Sequence, residues 1–188
     1  MELYDLYCKF PRISTDSRQV VAGGIFFALH GETFDGNRYA AAAVGAGATA
    51  AVIDDPAVTD GMSAAEKANY FVVPDTLKAL QELAARHRRQ LGIPILAITG
   101  SNGKTTTKEL ISRTLKRKYR VAVTQGNFNN HIGVPLTLLA MDRSAEFGVV
   151  EMGASHCGEI ALLCSIAQPD FGLITNIGKA HLEGFGGI

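Results

Sequence analysis

The sequence predicts an α/β protein in which a small mixed α/β domain is followed by a domain built on a parallel sheet. After Pro94, apolar strand patterns alternate with helix patterns to the end of the chain. This alternation is typical of parallel sheets with right-handed crossovers. The strand patterns are nearly continuous apolar runs, as expected when both faces of a sheet are covered. With 188 residues, the chain is long enough to bury a hydrophobic core.

The first 74 residues contain shorter elements. GGIFFALHG predicts a strand that begins in a glycine turn, and RYAAAAVGAGA predicts an alanine-rich helix that Gly45 and Gly47 end. TAAVID and YFVVP predict two further short strands. Residues 54–69 are polar and rich in turn formers, so a surface loop or a short helix is expected there.

A helix is predicted to begin at Pro74 and Asp75. Its apolar positions recur every three or four residues and form one stripe, on which His87 is interpreted as a packed structural histidine. Gly92 and Pro94 are expected to end this helix. We place the domain boundary just before it, which divides the chain into residues 1–74 and 75–188. The members of the stripe are Leu77, Leu80, Leu83, Ala84, His87 and Leu91.

The second domain is predicted from a regular succession of patterns. A helix is expected from Lys104 to Tyr119, with Leu110, Ile111 and Leu115 on one face. The runs PLTLLAM and GEIALLCSIA predict two more helices. The predicted strands of this domain are ILAIT, RVAVT, FGVVEMG and FGLITNIG.

Composition and charge exclude several classes of protein. Lysine plus arginine and aspartate plus glutamate both number 18, so the basic excess of most nucleic-acid-binding proteins is absent. No apolar stretch of the roughly 18 residues needed for a membrane span occurs. Cys8, Cys157 and Cys164 are odd in number and form no CxxC pair, which favours a cytoplasmic protein.

The run TGSNGKTTTKE carries the clearest chemical signal. Gly100 and Gly103 allow backbone conformations that a side chain would forbid, at a turn from a buried strand to a helix. The backbone N–H groups of such a turn and the helix dipole favour an anion. Lys104 adds a positive charge and Thr105 a hydroxyl that can reach a metal ion, as in a P-loop that holds a nucleoside triphosphate and Mg²⁺. The simpler alternative is a tight turn with a surface lysine.

Five ordered motifs resemble the ATP-dependent Mur ligases and their relatives, the folylpolyglutamate and cyanophycin synthetases. In that family the short G-x-x-G-K-T spacing is normal. NFNNHIGVPLTLL resembles the segment of those members that add D-alanyl-D-alanine, and STDSRQV with the following residues resembles the uridine-nucleotide-binding N-terminal domain. The remaining motifs are VVEMGASHCGEI and TNIGKAHLEGFGG, which resemble the strand-end glutamate and the histidine motif of the family.

The resemblance implies a reaction. ATP would phosphorylate the terminal carboxylate of UDP-N-acetylmuramoyl-tripeptide, with Mg²⁺ as cofactor. The amine of D-alanyl-D-alanine would then attack the acyl phosphate, in a step of peptidoglycan precursor synthesis. Two alternatives remain open at this point. One is a Mur-type ligase that adds another amino acid, against which NFNN argues, and the other is a non-catalytic nucleotide-binding module.

The resemblance also implies roles for individual residues. Lys104, Glu151 and His181 are the expected catalytic residues, and Thr105, Glu151 and His181 the expected metal ligands. Ser17, Arg18, Asn127, Asn129 and Asn130 are expected to bind substrate, although each could instead form or cap a local turn. The expected ATP-binding residues are Gly100, Ser101, Asn102, Gly103, Lys104, Thr105 and Thr106.

The sequence stops at Ile188, within the glycine-rich tail of the histidine motif. Members of the family continue through the rest of the ATP-binding domain and a third domain. We therefore expect this chain to be the N-terminal part of an enzyme, with an ATP-binding domain that is incomplete at its C-terminus. On that expectation the 188 residues alone lack ligase activity.

Overall fold

The computed structural model describes residues 2–178. The chain divides into two compact units, Met1–Leu83 and Ala84–Ile188. This division lies inside one helix, Thr76–Leu91, whereas the sequence-based boundary lies at the beginning of that helix. Each unit contains a parallel β-sheet, so the predicted α/β fold class is confirmed.

The first unit is built on a four-stranded sheet in which all neighbouring strands are parallel, in the order β1-β2-β3-β4. The three strands and the alanine-rich helix predicted from sequence are present as β2, β3, β4 and α2, and the polar stretch contains the short helix α3. The strands are β1 Ile13–Ser14, β2 Ile25–Phe27, β3 Ala50–Ile53 and β4 Tyr70–Val72. The helices are α1 Leu3–Lys9, α2 Ala40–Gly45, α3 Ala64–Lys67 and the start of α4, Thr76–Leu91.

Asp54 anchors the start of α4 in this unit. Its Oδ2 accepts hydrogen bonds from the N–H and the hydroxyl of Thr76, both at 3.1 Å. Its Oδ1 lies 2.7 Å from Nε2 of the half-exposed His30 and accepts a 2.8 Å bond from Asn37 Nδ2. Burial raises the pKa of Asp54, but the hydrogen bonds from Asn37, His30 and Thr76 outweigh burial and lower that pKa from 3.8 to about 2.

The second unit is built on a second parallel sheet, in the order β6-β7-β5-β8. Because the strands are parallel, their carboxyl ends meet at one edge, where open α/β sheets bind ligands. The strands are β5 Ile95–Thr99, β6 Val121–Val123, β7 Phe147–Glu151 and β8 Phe171–Ile174. The helices are the end of α4, α5 Lys104–Leu115, α6 Gly133–Leu139 and α7 Glu159–Ala167.

Helix α4 follows its sequence pattern closely. Leu80, Leu83 and Ala84 are buried, and the expected structural role of His87 is confirmed. The ring Nε2 of His87 lies 2.8 Å from the carbonyl oxygen of Met141, and burial lowers the pKa of this histidine. Within residues 2–178 there is no helix with the length and apolar character of a membrane span.

Helix α5 differs from its sequence pattern. It ends at Leu115, before the predicted Tyr119, and Leu110, one of the three apolar residues predicted to share a face, is 61% exposed. The buried positions of this helix are instead Lys108 and Ser112, one turn apart. The Ser112 hydroxyl donates to the Lys108 carbonyl oxygen, and the two buried side chains of α5 are therefore both polar.

Candidate active site

The turn between β5 and α5 leaves the beginning of α5 open. Gly100 and Gly103 have φ angles of 131° and 80°, which a residue with a side chain rarely adopts. Gly103 is the N-cap residue, and no side chain caps the helix there. The N–H groups of the first helical turn therefore lack intrahelical acceptors and favour an anion. Lys104 Nζ lies in the turn and donates to the Gly100 carbonyl oxygen at 2.6 Å.

Residues that follow β8 hold the other side of this turn. The N–H groups of Ser101 and Asn102 donate to the backbone oxygen and the side-chain Oδ1 of Asn176, at 3.1 and 2.9 Å. The Thr175 hydroxyl donates to the Asn102 carbonyl oxygen at 2.6 Å. The backbone of Ser101 and Asn102 is thus already bonded, so an anion would be met by the N–H groups at the start of α5.

Glu151 lies at the end of β7, beside the glycine turn, because Ile98 of β5 and Glu151 are partners in the sheet. Its side chain is only 3% exposed. The Thr105 hydroxyl donates to the Glu151 carboxylate, with distances of 3.1 Å to Oε2 and 3.3 Å to Oε1. Asn129 Nδ2 donates to the same carboxylate at 3.1 Å. Thr105, Glu151 and Asn129, which are distant in sequence, therefore meet at one point.

Lys108 lies next to the Glu151 carboxylate and is as buried as that carboxylate, with 2% of its side chain exposed. Its Nζ donates to the Thr124 carbonyl oxygen at 2.9 Å and lies 3.7 Å from Glu151 Oε2. A second carboxylate, that of the half-exposed Glu109, lies 3.5 Å from the same Nζ. The Thr124 hydroxyl in turn accepts the backbone N–H of Glu151 at 2.9 Å.

The donor atoms at this point suit a hard cation. A threonine hydroxyl and a carboxylate are oxygen ligands of the kind that Mg²⁺ prefers, and Mg²⁺ usually takes one or two protein ligands together with substrate phosphates. Within residues 2–178, no group of three or more histidine, cysteine, aspartate or glutamate side chains is arranged so that it could hold a metal ion. A site with few protein ligands is therefore the kind that these residues fit. His181, the third expected ligand, lies outside the described residues.

The three predicted asparagines occupy the loop between β6 and α6 and differ in their contacts. Asn129 contacts Glu151, as described above, and its carbonyl oxygen accepts the N–H of Gly153 at 2.8 Å. Asn130 Oδ1 accepts the N–H groups of Ile132 and Gly133, so Asn130 stabilises the start of α6. Asn127 is exposed. Of the three, Asn129 lies directly at the site.

A cavity of about 470 Å³ opens beside Lys104 and Asn129. Its lining also includes His131, His156 from the connection between β7 and α7, and Glu159, the first residue of α7. Glu159 accepts the N–H groups of Ser155 and His156, which lower the pKa of its carboxyl group. The cavity therefore combines two imidazoles, a carboxylate and the turn lysine next to the open helix end.

Ser17 and Arg18 belong to the first unit and lie in a short 3-10 turn, Ser17–Gln19. Arg18 is exposed and forms a two-point ion pair with Asp16, at 2.9 and 2.8 Å. Hydrogen bonds from Arg18 lower the pKa of Asp16 to about 2. A phosphate that bound Arg18 would therefore compete with the Asp16 carboxylate.

Sequence reasoning missed Lys108, Thr124 and Asn176. Lys108 follows Lys104 by four residues, so the two share one helix face. The four-residue spacing of Lys104, Lys108 and Ser112 was the available signal. Asn176 lies 74 residues from the Asn102 that it contacts, and no local pattern indicates this pairing.

Two family descriptions cover most of the chain. Residues 9–88 match the Mur ligase family, catalytic domain, and residues 98–188 match the Mur ligase middle domain. Several curated relatives are UDP-N-acetylmuramoyl-tripeptide–D-alanyl-D-alanine ligases. The one from Synechocystis is 48% identical over 93% of this chain, and the one from Escherichia coli is 40% identical over the whole of it.

Solved structures give the same result. MurF from Acinetobacter baumannii superposes with a TM-score of 0.85, at 41% identity over 93% of this chain. MurF from Thermotoga maritima, solved in complex with ADP, has a TM-score of 0.82 at 35% identity over 97%. The chain spans 37–40% of the length of these relatives. Matches at both units, together with likeness in sequence and structure, show that the chain belongs to the Mur ligase family.

Proposed function

We propose that the protein carrying this chain is an ATP-dependent ligase that joins D-alanyl-D-alanine to UDP-N-acetylmuramoyl-tripeptide in the cytoplasm. The observation that carries the proposal is the meeting of Thr105 and Glu151 at 3.1 Å beside the uncapped start of α5. The NFNN run, typical of the family members that add this dipeptide, supports the choice of substrate. The relatives described above bear the same activity in their names.

The proposed reaction has two steps. A carboxylate oxygen of the tripeptide attacks the γ-phosphorus of ATP, and the bond from that phosphorus to the ADP oxygen breaks. The amine of D-alanyl-D-alanine then attacks the acyl carbon, phosphate leaves with its bonding electron pair, and the nitrogen loses a proton. The first step brings two anions together, so the site has to supply positive charge.

The chain's own groups can supply part of that charge. Lys104 Nζ donates to the carbonyl oxygens of Gly100 and Ser101 in the glycine turn, and exchange of these for phosphate oxygens would strengthen its hydrogen bonding. The N–H groups at the start of α5 add the positive end of the helix dipole. We assign Gly100, Ser101, Asn102, Gly103, Lys104, Thr105 and Thr106 to ATP binding.

Thr105 and Glu151 would hold Mg²⁺, and His181 remains a candidate ligand for a metal ion. When bound, Mg²⁺ supplies charge neutralisation of the transferring phosphoryl group. Asn129 fixes the orientation of the Glu151 carboxylate through its 3.1 Å hydrogen bond, which restricts where its oxygens point. Thr105 restricts the same carboxylate from the side of the nucleotide.

The tripeptide end of the substrate fits the cavity beside Lys104 and Asn129. Asn127 and Asn130 lie on the same loop and are proposed as further peptide contacts. Ser17 and Arg18 are proposed to contact the uridine diphosphate. On this view residues 1–74 bind the uridine nucleotide, and residues from 75 onwards form the N-terminal part of the ATP-binding domain.

Replacement of Lys104 tests the proposal. In the purified protein that contains this chain, Lys104→Ala should reduce phosphate release on the order of 10²–10³-fold while the melting curve stays cooperative. Lys116→Ala, which removes an exposed lysine just after α5, is the control. Phosphate release that required another amino acid in place of D-alanyl-D-alanine would identify a different ligase. Nucleotide binding without substrate-dependent phosphate release would identify a non-catalytic module.

A further inference from the structure

The Glu151 carboxylate is a buried negative charge. A carboxylate with so little exposure is costly unless a positive group lies nearby. Thr105 and Asn129 donate hydrogen bonds to it, but both are neutral. Among residues 2–178, Lys108 supplies the ammonium group within 4 Å of this carboxylate. Lys104, the other lysine of the site, donates to the carbonyl oxygens of the glycine turn.

The positive charge of Lys108 is also buried, so it is costly unless a negative group lies nearby. The Thr124 carbonyl oxygen accepts one of its hydrogen bonds and carries only a partial charge. Of the two carboxylates near its Nζ, that of Glu109 is 52% exposed, so solvent screens their attraction. The buried Glu151 is therefore the partner with which the charge of Lys108 interacts most strongly.

We propose that Lys108 is the resident counter-ion of Glu151. It balances the carboxylate while no divalent cation is bound, and it opposes the cation that Glu151 takes up with the nucleotide. Lys108 is thus a positioning residue. It stabilises the site between turnovers and lowers the affinity of the site for the metal ion. The second half of this inference rests on the proposed metal role of Glu151.

Two consequences of removing the ammonium group have opposite signs. The metal-free protein should lose stability, because the Glu151 carboxylate is left without a counter-ion. Cation affinity should rise, because a positive charge next to the site is gone. A lysine that only filled space would lower stability on replacement and would leave cation affinity unchanged or weaker. The sign of the affinity change therefore separates the two roles.

The pairing is tested by a double-mutant cycle in EDTA without nucleotide. Lys108→Met should lower the melting temperature of the protein that contains this chain. In a Glu151→Gln background, the same substitution should have an effect at least about twofold smaller. Equal effects in the two backgrounds would overturn the pairing. This arm needs neither nucleotide nor metal, so it stands apart from the proposed function.

The competition with metal is tested by Mn²⁺ titration in the presence of ADP, followed by electron paramagnetic resonance. Lys108→Met should bind Mn²⁺ about tenfold more tightly than the unchanged protein. Lys116→Met, which removes an exposed lysine, should leave the affinity unaltered. Unchanged or weaker Mn²⁺ binding by Lys108→Met would overturn the competition.

A second variant keeps the test decisive if Lys108→Met does not fold. Lys108→Gln is neutral but retains an N–H donor for the Thr124 carbonyl oxygen, and the same tightening is expected. ADP binding in the presence of Mg²⁺, measured on the unchanged protein, reports separately on the proposed nucleotide site. Its absence would overturn the proposed function and the competition with metal, whereas ADP binding with unchanged Mn²⁺ affinity in both variants would overturn the competition alone.

Discussion

Gly100 and Gly103 both have positive φ angles but differ in their surroundings. A Cβ atom added at Gly100 would lie 2.2 Å from the Thr175 hydroxyl oxygen and 2.9 Å from the Asn176 carbonyl oxygen. One added at Gly103 would meet nothing within 4 Å. The first glycine is therefore required by conformation and by space, and the second by conformation alone.

Alanine at these two positions should give different losses of stability. Gly103→Ala should cost about 1–2 kcal/mol of unfolding free energy, which is the strain of a left-handed residue. Gly100→Ala should cost about 1–3 kcal/mol more, because Thr175 and the backbone of Asn176 would have to move. Urea denaturation of both variants measures the difference. Equal losses would mean that the residues after β8 do not confine the turn.

The Asp54 carboxylate predicts a specific acid sensitivity of the first unit. Its pKa is lowered in the folded protein, so it contributes stability above its unfolded pKa of 3.8 and loses that stability as the pH falls through about 2. The difference corresponds to about 2 kcal/mol. Asp54→Asn should therefore be less stable than the unchanged protein near pH 6, and the gap should narrow as the pH falls below 4.

Unfolding free energies measured over this pH range check the expectation. Asp60→Asn, which alters an exposed carboxylate, serves as the matched control and should show no such gap. A stability gap for Asp54→Asn that stayed constant with pH would mean that its hydrogen bonds do not depend on the charge of the carboxylate.

His30 should have the opposite pH dependence. The hydrogen bond to Asp54 raises the pKa of His30, so its contribution is present below 6.5 and lost as the pH rises through that raised value.

At the scale of secondary structure, Arg88 ties α4 to the connection between α7 and β8. Its Nε donates to the Ala167 carbonyl oxygen at 2.9 Å. Its second nitrogen donates to the Gln168 carbonyl oxygen and forms a 2.8 Å ion pair with Asp170. The Asp170 carboxylate also accepts the N–H of Ile95, the first residue of β5. Arg88 of α4 is thus linked through Asp170 to the start of β5.

Removal of this side chain should be costly. Arg88→Met removes the Arg88 donor from two carbonyl oxygens and the ion-pair partner from Asp170, so the unfolding free energy should fall by about 2–3 kcal/mol. Arg89→Met, which changes the exposed neighbour, should alter it by no more than about 0.5 kcal/mol. Guanidinium denaturation of the two variants decides the matter. Similar small losses would show that the Arg88 contacts are not a tie between these elements.

Helix α5 shows what an apolar pattern can and cannot predict. The apolar pattern placed Leu110 on one face with Ile111 and Leu115, yet Leu110 is exposed and Lys108 is buried. The reason is chemical, because this helix faces the candidate site, where the buried groups are a carboxylate and the carbonyl oxygen of Thr124. A prediction from apolar periodicity assumes that the helix packs on an apolar core. Such a prediction is wrong where the helix packs on the polar groups of a candidate site.

The candidate site likewise has a part that the sequence predicts and a part that it does not. The glycine turn, Lys104 and Thr105 were predictable, because they follow one another in the chain and their chemistry is local. That Glu151 lies beside the turn followed from parallel strands with their carboxyl ends at one edge. The hydrogen bonds between Asn176 and the turn were not predictable, because these bonds depend on the register of β8 against β5. Register is fixed by packing across the sheet rather than by local sequence.

At the scale of the whole molecule, each unit carries its own proposed ligand contacts. The glycine turn, Glu151 and the asparagine loop lie in the second unit, whereas Ser17 and Arg18 lie in the first. A ligand that binds only the folded state stabilises it, by about 2.7 kcal/mol at 100 times its dissociation constant. Slowed local exchange should be confined to the segments that the ligand touches.

Hydrogen exchange with one ligand at a time should therefore separate the two units. ADP with Mg²⁺ should slow exchange at residues 100–106 and 125–131 and leave residues 16–19 unchanged. UDP should slow exchange at residues 16–19 and leave the other two segments unchanged. Lys104→Ala should abolish the protection by ADP with Mg²⁺ and preserve the protection by UDP. The reason is that the Lys104 side chain donates hydrogen bonds to the glycine turn, in the second unit. Protection of residues 100–106 by UDP alone, or a UDP response that is lost in Lys104→Ala, would show that the assignment of one ligand to each unit is wrong.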